Sequence, residues 1–342
     1  LFKLIPNFSL KDNNSFGLDV RAGYWLTINS LDGWCDALAR YPHLAEEERM
    51  IIGGGTNLLF VSDFDGLIIS PDFCGFEITY QDSQWVEISV GAGEIWDDFV
   101  AYCVVNQWYG IENLSLIPGK VGAAAVQNIG AYGAEISSVI VRVNGIDLDS
   151  LAEMSYPNDQ CQFRYRSSLF KEQLSNRFMV TSVVFRLQKQ GVLNSGYGDL
   201  KRVLAELGEP DLEKMRKAVI QIRSSKLPDP KLLGNAGSFF KNPILTEEVA
   251  DALADLLPGL PIYQLSDGYV KVGAGFLIEK AGWKGRHWCH AAVHDRQALV
   301  LINRGGATGH EILQLSEAIQ KDVFEKFGVA LEREVQVVGS AK

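Results

Sequence analysis

Ile117-Pro118-Gly119-Lys120-Val121-Gly122-Ala123-Ala124-Ala125-Val126-Gln127-Asn128-Ile129-Gly130-Ala131-Tyr132-Gly133 is the stretch on which the fold turns. Small residues at so many successive positions let something bulky press on the backbone. Its four glycines, with Asn128 and Tyr132, suit a dinucleotide pyrophosphate better than a core element. The plain alternative is a small-residue helix packed tightly on a sheet. A second cluster, Ile51-Ile52-Gly53-Gly54-Gly55-Thr56-Asn57, follows a strand-like run. Its N–H groups can converge on an anion, or it can be a tight turn between strands. It is not a Rossmann fingerprint, because G-x-G-x-x-G needs glycine where Leu58 stands. No Gly-Lys-Ser/Thr of a Walker A loop occurs.

The chain has 342 residues, enough for two or three domains at about 150 residues each. Hydrophobic residues make up 47% and charged residues 22%, so a large core forms without disulfides or a structural metal. Acidic residues number 42 against 32 basic ones, a net charge of −10. That balance argues against non-specific binding to a nucleic-acid backbone, which relies on Lys and Arg. Cys35, Cys74, Cys103, Cys161 and Cys289 contain no C-x-x-C pair and read as buried or free thiols in a reducing compartment. No apolar run approaches a membrane span, and the opening LFKLIPNFSL is too short and polar for a signal peptide. Position 1 is Leu rather than Met. A cytoplasmic enzyme is expected.

Up to about residue 190 the chain reads as short strands and Gly-rich turns. Met50–Ile52, Asn57–Val61, Leu67–Ile69, Val139–Val143 and Phe178–Leu187 are strand-like, and Trp85–Val90 alternates as a half-buried strand. Ile95, Phe99 and Cys103 recur at helical spacing. Beyond residue 200, Leu212, Met215, Val219 and Ile222 mark a helix that stops before Leu227-Pro228-Asp229-Pro230, a rigid linker. Thr246 should cap a helix led by Glu247 and Glu248, and Thr308-Gly309-His310-Glu311 fits a capping box. Gly328 should stop that last helix, and Ala330–Val338 reads as a strand. The pattern is α+β.

Several side chains invite chemistry. His287, His290 and His294, with Cys289 among them, lack the spacing of a zinc site, and no metal is expected. Ser238, in Asn235-Ala236-Gly237-Ser238-Phe239-Phe240, has no G-x-S-x-G elbow, so it is a desolvated proton donor or a turn residue. Arg164 and Arg166 fall on one side if extended and can grip a carboxylate or phosphate; solvation alone accounts for one of them. Glu332 and Glu334 share a face of the last strand, as often solvent-facing as catalytic.

Taken in order, these segments resemble the UDP-N-acetylenolpyruvoylglucosamine reductase family, over nearly the whole chain. Gly110-Ile111-Glu112-Asn113-Leu114, Ile117-Pro118-Gly119 and Gln127–Gly133 carry the likeness first. Lys226-Leu227-Pro228-Asp229-Pro230, Gly234–Pro243 and Leu331-Glu332-x-Glu334-Val335 extend it. The resemblance implies an α+β fold: a two-lobed FAD-binding domain of the vanillyl-alcohol-oxidase (PCMH) type and a smaller α+β substrate-binding domain. The expected boundaries are 1–225, with lobes of about 1–75 and 76–225, and 226–342, whose last strand brings Glu334 to the active site.

The same resemblance implies non-covalent FAD, held by Gly53, Gly55, Thr56, Asn57, Pro118, Gly119, Gly122, Gly130 and Gly133. NADPH reduces the flavin, and UDP-N-acetylglucosamine enolpyruvate then takes its place to yield UDP-N-acetylmuramate for peptidoglycan. Hydride from flavin N5 adds to the enolpyruvyl carbon. Arg166 stabilises the resulting charge, Glu334 assists as hydrogen-bond donor or acid, and Ser238 supplies the proton. Tyr132, Tyr165, Lys226, Asn242 and Gln297 are expected around the substrates, with Tyr197 on a loop that closes over the nucleotide in one subgroup. Arg164 sits at a variable position of the family pattern. The partners are the UDP-sugar and NADPH, with no nucleic acid or membrane, and a monomer is expected. Another FAD-dependent oxidase of that superfamily is the alternative, and a catalytically dead nucleotide-binding scaffold is a more distant one.

Overall fold

A computed structural model of the chain describes residues 2–265 and 268–339. Leu1 of the opening segment and the last residues of 226–342 lie outside that description. The chain forms two compact units. The first takes in the chain up to Phe8 with Ala22–Gly54 and Asp65–Ser225; the second takes Ser9–Arg21, Gly55–Phe64 and everything from Lys226 on.

The first unit contains two sheets. One orders its strands Phe2–Ser9, Arg21–Ile28, Phe64–Pro71 and Arg49–Ile51, the last two parallel. The helix Leu31–Arg40, capped by the Ser30 hydroxyl on Gly33 N–H, belongs with it. The other sheet is antiparallel: Ala152–Pro157, Ile140–Asp147, Phe178–Gln188, Trp85–Gly91 and Phe76–Gln81. Register sets its faces. Val86, Ile88 and Val90 stand opposite Leu187, Phe185 and Val183, all buried. They share a core with Trp96, Phe99 and Cys103 of the helix Trp96–Val105. Each aromatic buried there contributes on the order of 2–3 kcal/mol. Ile146 and Met179 of this sheet reach the core of the first one, against Ile28 and Leu67.

Three local expectations change. Ile95 is the N-cap of its helix and is 54% exposed, so Trp96 carries the buried stripe with Phe99, Val100 and Cys103. Glu87 is buried, because Arg186 directly opposite forks onto its carboxylate. Val121–Gln127 is a helix, so the small-residue reading holds for the middle of the Gly-rich stretch. Gly122 is small for a packing reason: a Cβ there would meet the Ala92 Cβ at 2.8 Å.

The second unit is built on the antiparallel sheet Asn235–Ser238, Val300–Asn303, Ala291–Val293 and His287–Trp288. A three-stranded sheet, Ile244–Thr246, Tyr269–Val272 and Ile262–Gln264, adjoins the helix Glu247–Leu256, capped by Thr246. The helix Gly309–Phe327 has its capping box on Thr308 and Glu311 and ends at Gly328. The final strand is only Gln336–Val338, shorter than the run from Ala330, and it pairs in parallel with Leu58–Phe60. That pairing is one reason Gly55–Phe64 packs with the C-terminal part of the chain. No helix among the described residues is long and apolar enough to cross a membrane. All five cysteines are free; Cys103 and Cys161 are buried, Cys74 and Cys289 exposed.

Candidate active site

In the first unit, the candidate residues gather where the Gly-rich stretch meets the turn around Arg166. Helix Val121–Gln127 ends at Asn128, a buried left-handed residue, and the chain then folds into the hairpin Gly130–Ala131 with Ala134–Glu135. Tyr132 and Gly133 form its tip with φ of 49° and 79°, the pair of positive angles a two-residue hairpin turn requires. Asn113 Nδ2 donates to the Tyr132 carbonyl at 2.9 Å, and Asn194 Nδ2 donates to that of Gly133 at 3.0 Å. The Tyr197 ring meets Tyr132 edge-on, 6.0 Å between centroids.

Arg166 is not extended. Arg164 and Ser167 exchange both backbone hydrogen bonds at 3.0 Å, so Tyr165 and Arg166 are the tip of a tight turn, with Arg166 at φ +55°. The two arginines therefore do not line one strand face, and Arg164 is exposed. Arg166 Nη2 donates to the Gly130 carbonyl at 2.6 Å, and its guanidinium lies over the Tyr165 ring at 5.2 Å. Asn128 Nδ2 donates to the Arg164 carbonyl at 2.9 Å, so the hairpin and the arginine turn hold each other. The result is a fixed cation beside a glycine backbone.

Arg223 joins them, a residue the sequence reading missed. Burial lowers its pKa, opposed by Tyr132, to which it is hydrogen-bonded, and by Asp97, with the Arg166 charge adding to the lowering. Its signal in the sequence is its place seven residues after Arg216 on the helix Leu212–Lys226, hence on one face. Asp97 was missed as well. Burial pushes its carboxyl up, but Arg216, the Leu116 N–H and the charge on Arg223 outweigh that and hold it below the usual range.

The two Gly-rich segments also converge within this unit. A Cβ on Gly53 would lie 2.7 Å from the Ala123 Cβ, so the turn after Arg49–Ile51 touches the start of the Val121–Gln127 helix. Gly119 has φ +125° and gives its carbonyl to Trp96 N–H at 3.0 Å, beside the exposed Pro118. Gln127 Nε2 is buried with no hydrogen-bond partner among the described residues. An orphaned donor at the end of the helix within this Gly-rich stretch fits an acceptor-rich cofactor such as FAD.

In the second unit, Ser238 ends the strand Asn235–Ser238 opposite Val300, following Gly237 at φ +68°. It is a half-buried strand terminus rather than a turn residue. Its neighbour Phe239 donates to the Leu299 carbonyl and accepts the Glu334 N–H at 2.9 Å. Glu334 lies in a bend, between a bridge from Arg333 to Phe240 and the last strand, which corrects its placement on a continuous strand. Glu332 is exposed and paired with Lys241. Asn57 Nδ2 donates to the Glu334 carbonyl at 3.1 Å; Gly55 lies against Asn13, and Thr56 is half-buried between the two.

Asn242 Oδ1 accepts the Ala274 N–H at 3.0 Å, and Gln297 Oε1 accepts that of Leu299 at 3.3 Å. Ser238 pairs with the segment 297–300 that carries Gln297, and Asn242 holds the segment 273–275, whose Gly275 lies against Gln297 Oε1. Lys226 is exposed at the end of its helix. His287 lies in the short strand His287–Trp288, His290 and His294 stand at either end of Ala291–Val293, and His290 pairs with Glu311 at 3.1 Å. Among the described residues, no cluster of His, Cys, Asp and Glu could hold a metal ion.

Residues 36–149 match the FAD binding domain model, and residues 229–338 match that of the UDP-N-acetylenolpyruvoylglucosamine reductase C-terminal domain. The reductase of that name from Flavobacterium johnsoniae is 44% identical over 335 residues, 97% of this chain and 98% of its own. That from Dechloromonas aromatica is 46% identical over 333 residues, covering 96% and 97%. The crystal structure of the Thermus caldophilus enzyme matches 99% of both chains with a TM-score of 0.67 at 21% identity, a likeness of fold. The chain belongs to the UDP-N-acetylenolpyruvoylglucosamine reductase family, with an α+β fold that joins an FAD-binding domain to that family's C-terminal domain.

Proposed function

We propose that this chain reduces the enolpyruvyl group of UDP-N-acetylglucosamine enolpyruvate to give UDP-N-acetylmuramate, an oxidoreductase step in peptidoglycan precursor synthesis, with NADPH as reductant. In this reading the chain up to residue 225, in lobes divided near 75, holds FAD non-covalently through Gly53, Gly55, Thr56, Asn57, Pro118, Gly119, Gly122, Gly130 and Gly133. The part from 226 on serves the sugar nucleotide. The enzyme works as a monomer in the cytoplasm. FAD, when bound, supplies hydride chemistry between the nicotinamide and the terminal enolpyruvyl carbon.

The chain's own residues manage charge and protons. As the terminal carbon gains hydride, the substrate's double bond pushes electrons toward its carboxylate, and an enolic anion builds. Arg166 stabilises that anion; its guanidinium is already oriented by the Gly130 carbonyl, so little reorganisation is needed. This preset cation is the observation that carries the reading. Ser238 gives its hydroxyl proton to the neighbouring carbon, completing addition of one hydride and one proton. Glu334 assists as hydrogen-bond donor or acid. Tyr132, Tyr165, Lys226, Asn242 and Gln297 bind substrate groups, and Tyr197 covers the nucleotide, the role of the subgroup with a tyrosine loop.

The test is spectroscopic. Under anaerobic conditions NADPH should bleach the flavin, and the enolpyruvyl sugar nucleotide should restore its colour. Ser238→Ala should bleach normally but recover at least about 100-fold more slowly, the scale of lost general acid catalysis. Bleaching without recovery in the unaltered protein would assign the flavin to another substrate. A Ser238→Ala variant that recovers at the normal rate would remove the proton from Ser238.

A further inference from the structure

The first turn of the helix Trp96–Val105 anchors the segment that leads into the Gly-rich stretch at three points. Trp96 Nε1 donates to the Leu114 carbonyl at 2.9 Å, and Trp96 N donates to that of Gly119 at 3.0 Å. Between them, Asp97 Oδ1 accepts the Leu116 N–H at 2.5 Å. Leu116 sits at φ +58°, a conformation a branched side chain adopts reluctantly, so its peptide needs partners to stay there.

Those partners trace to one face of the helix Leu212–Lys226. Arg216 forks onto Asp97, Nη1 to Oδ1 at 2.6 Å and Nη2 to Oδ2 at 2.9 Å. Two turns later, Arg223 Nε donates to the Leu116 carbonyl at 3.3 Å. Leu116 is therefore held at its N–H through Asp97 and at its C=O by Arg223 directly. A first-turn aspartate is ordinary for its interaction with the helix dipole, but the exposed Asp98 beside it already serves that purpose. The bidentate pair to Arg216 calls for a second role.

We infer that Asp97, clamped by Arg216, is a positioning residue for the cofactor: it fixes Leu116, and with it Ile117-Pro118-Gly119 and Arg223, in the shape that FAD binding requires. This rests on the reading above that Pro118 and Gly119 contact FAD. A loop held beforehand in its bound conformation binds more tightly, because less ordering remains for the binding step.

The experiment titrates flavin-stripped protein with FAD by fluorescence and records the apoprotein Tm. It compares the unaltered chain, Asp97→Ala, and the exchange Asp97→Arg/Arg216→Asp. The exchange restores an ion pair between the same two helices but puts a donor where the Leu116 N–H needs an acceptor. Both variants should raise the FAD dissociation constant at least tenfold, while Tm recovers only in the exchange. Unchanged affinity, or affinity that recovers together with Tm, would overturn the inference and leave Asp97 a structural ion pair. Should Asp97→Ala not fold, Asp97→Leu keeps the side-chain size, offers no acceptor to the Leu116 N–H and carries the same expectation. An unaltered chain that binds no FAD would instead overturn the reading on which the inference rests.

Discussion

Asn57 Nδ2 donates to the backbone carbonyl of Glu334 at 3.1 Å, and the Asn57 carbonyl accepts the Gln336 N–H at 3.0 Å. A residue from the glycine cluster 51–57 thereby pins the bend on which Glu334 sits, while Phe239, next to Ser238, holds the Glu334 N–H. Asn57→Ala removes one of these ties and should cost about 1 kcal/mol of stability, readable by denaturant unfolding. With Glu334 in the role proposed, substrate-driven flavin reoxidation should slow about tenfold, roughly 1.4 kcal/mol of transition-state positioning. Compared at saturating FAD, so that a weakened flavin contact of Asn57 does not enter, bleaching by NADPH should slow less than reoxidation by substrate, and equal slowing of both halves would count against a role for this tie in positioning Glu334.

Arg166 and Arg164 should separate cleanly. Arg166 donates to Gly130 from the tip of its turn, whereas Arg164 is exposed and contributes its backbone carbonyl to Asn128. Arg166→Ala should slow reoxidation by substrate by at least about 100-fold, the scale seen when a preset charge-stabilising donor is lost. Arg164→Ala should leave it within a few fold, since the backbone carbonyl survives the substitution. Equal losses would sink this assignment.

Gly53 is small because Ala123 lies opposite. Gly53→Ala sets two Cβ atoms 2.7 Å apart and should destabilise the protein by about 1–3 kcal/mol. Ala123→Gly alone should cost about 1 kcal/mol through helix propensity. The double substitution should be less destabilised than the sum of the two, because the clash disappears. Simple additivity of the Tm shifts would show that the two segments do not touch.

Asp147 should report acid sensitivity. It is buried at the end of the strand Ile140–Asp147, and its carboxylate accepts from Ser150 N, Ser150 Oγ and Asp149 N and from Arg177 Nε. The Ser150 N–H is the largest influence; burial opposes it, but the remaining donors leave the pKa below the ordinary value of 3.8. A carboxylate depressed on folding stabilises the native state above its unfolded pKa, and that contribution is lost as pH falls through the folded one. Asp147→Asn should therefore lower Tm at pH 7, and the gap from the unaltered protein should close as pH drops below about 4. A gap that does not depend on pH would assign the effect to shape alone.

What the sequence determined by itself was local or periodic. Thr246 and Thr308 as caps, Gly328 as a stop and the alternation of Val86, Ile88 and Val90 depend on neighbours a few residues away, so the structure returns them unchanged. Family membership was legible too, because it rests on ordered motifs and needs no coordinates. Other features required the tertiary structure. The bend that replaces a strand at Glu334 is set by hydrogen bonds to Asn57 and Phe239, far away in the sequence, and the turn that parts Arg164 from Arg166, though closed by its own backbone bonds, is tied to Asn128. Asp97, Arg216 and Arg223 are the clearest case. Each is an unremarkable surface charge in the sequence, and only folding brings them onto one strained peptide, because a side chain's electrostatic partners are chosen by distance in space.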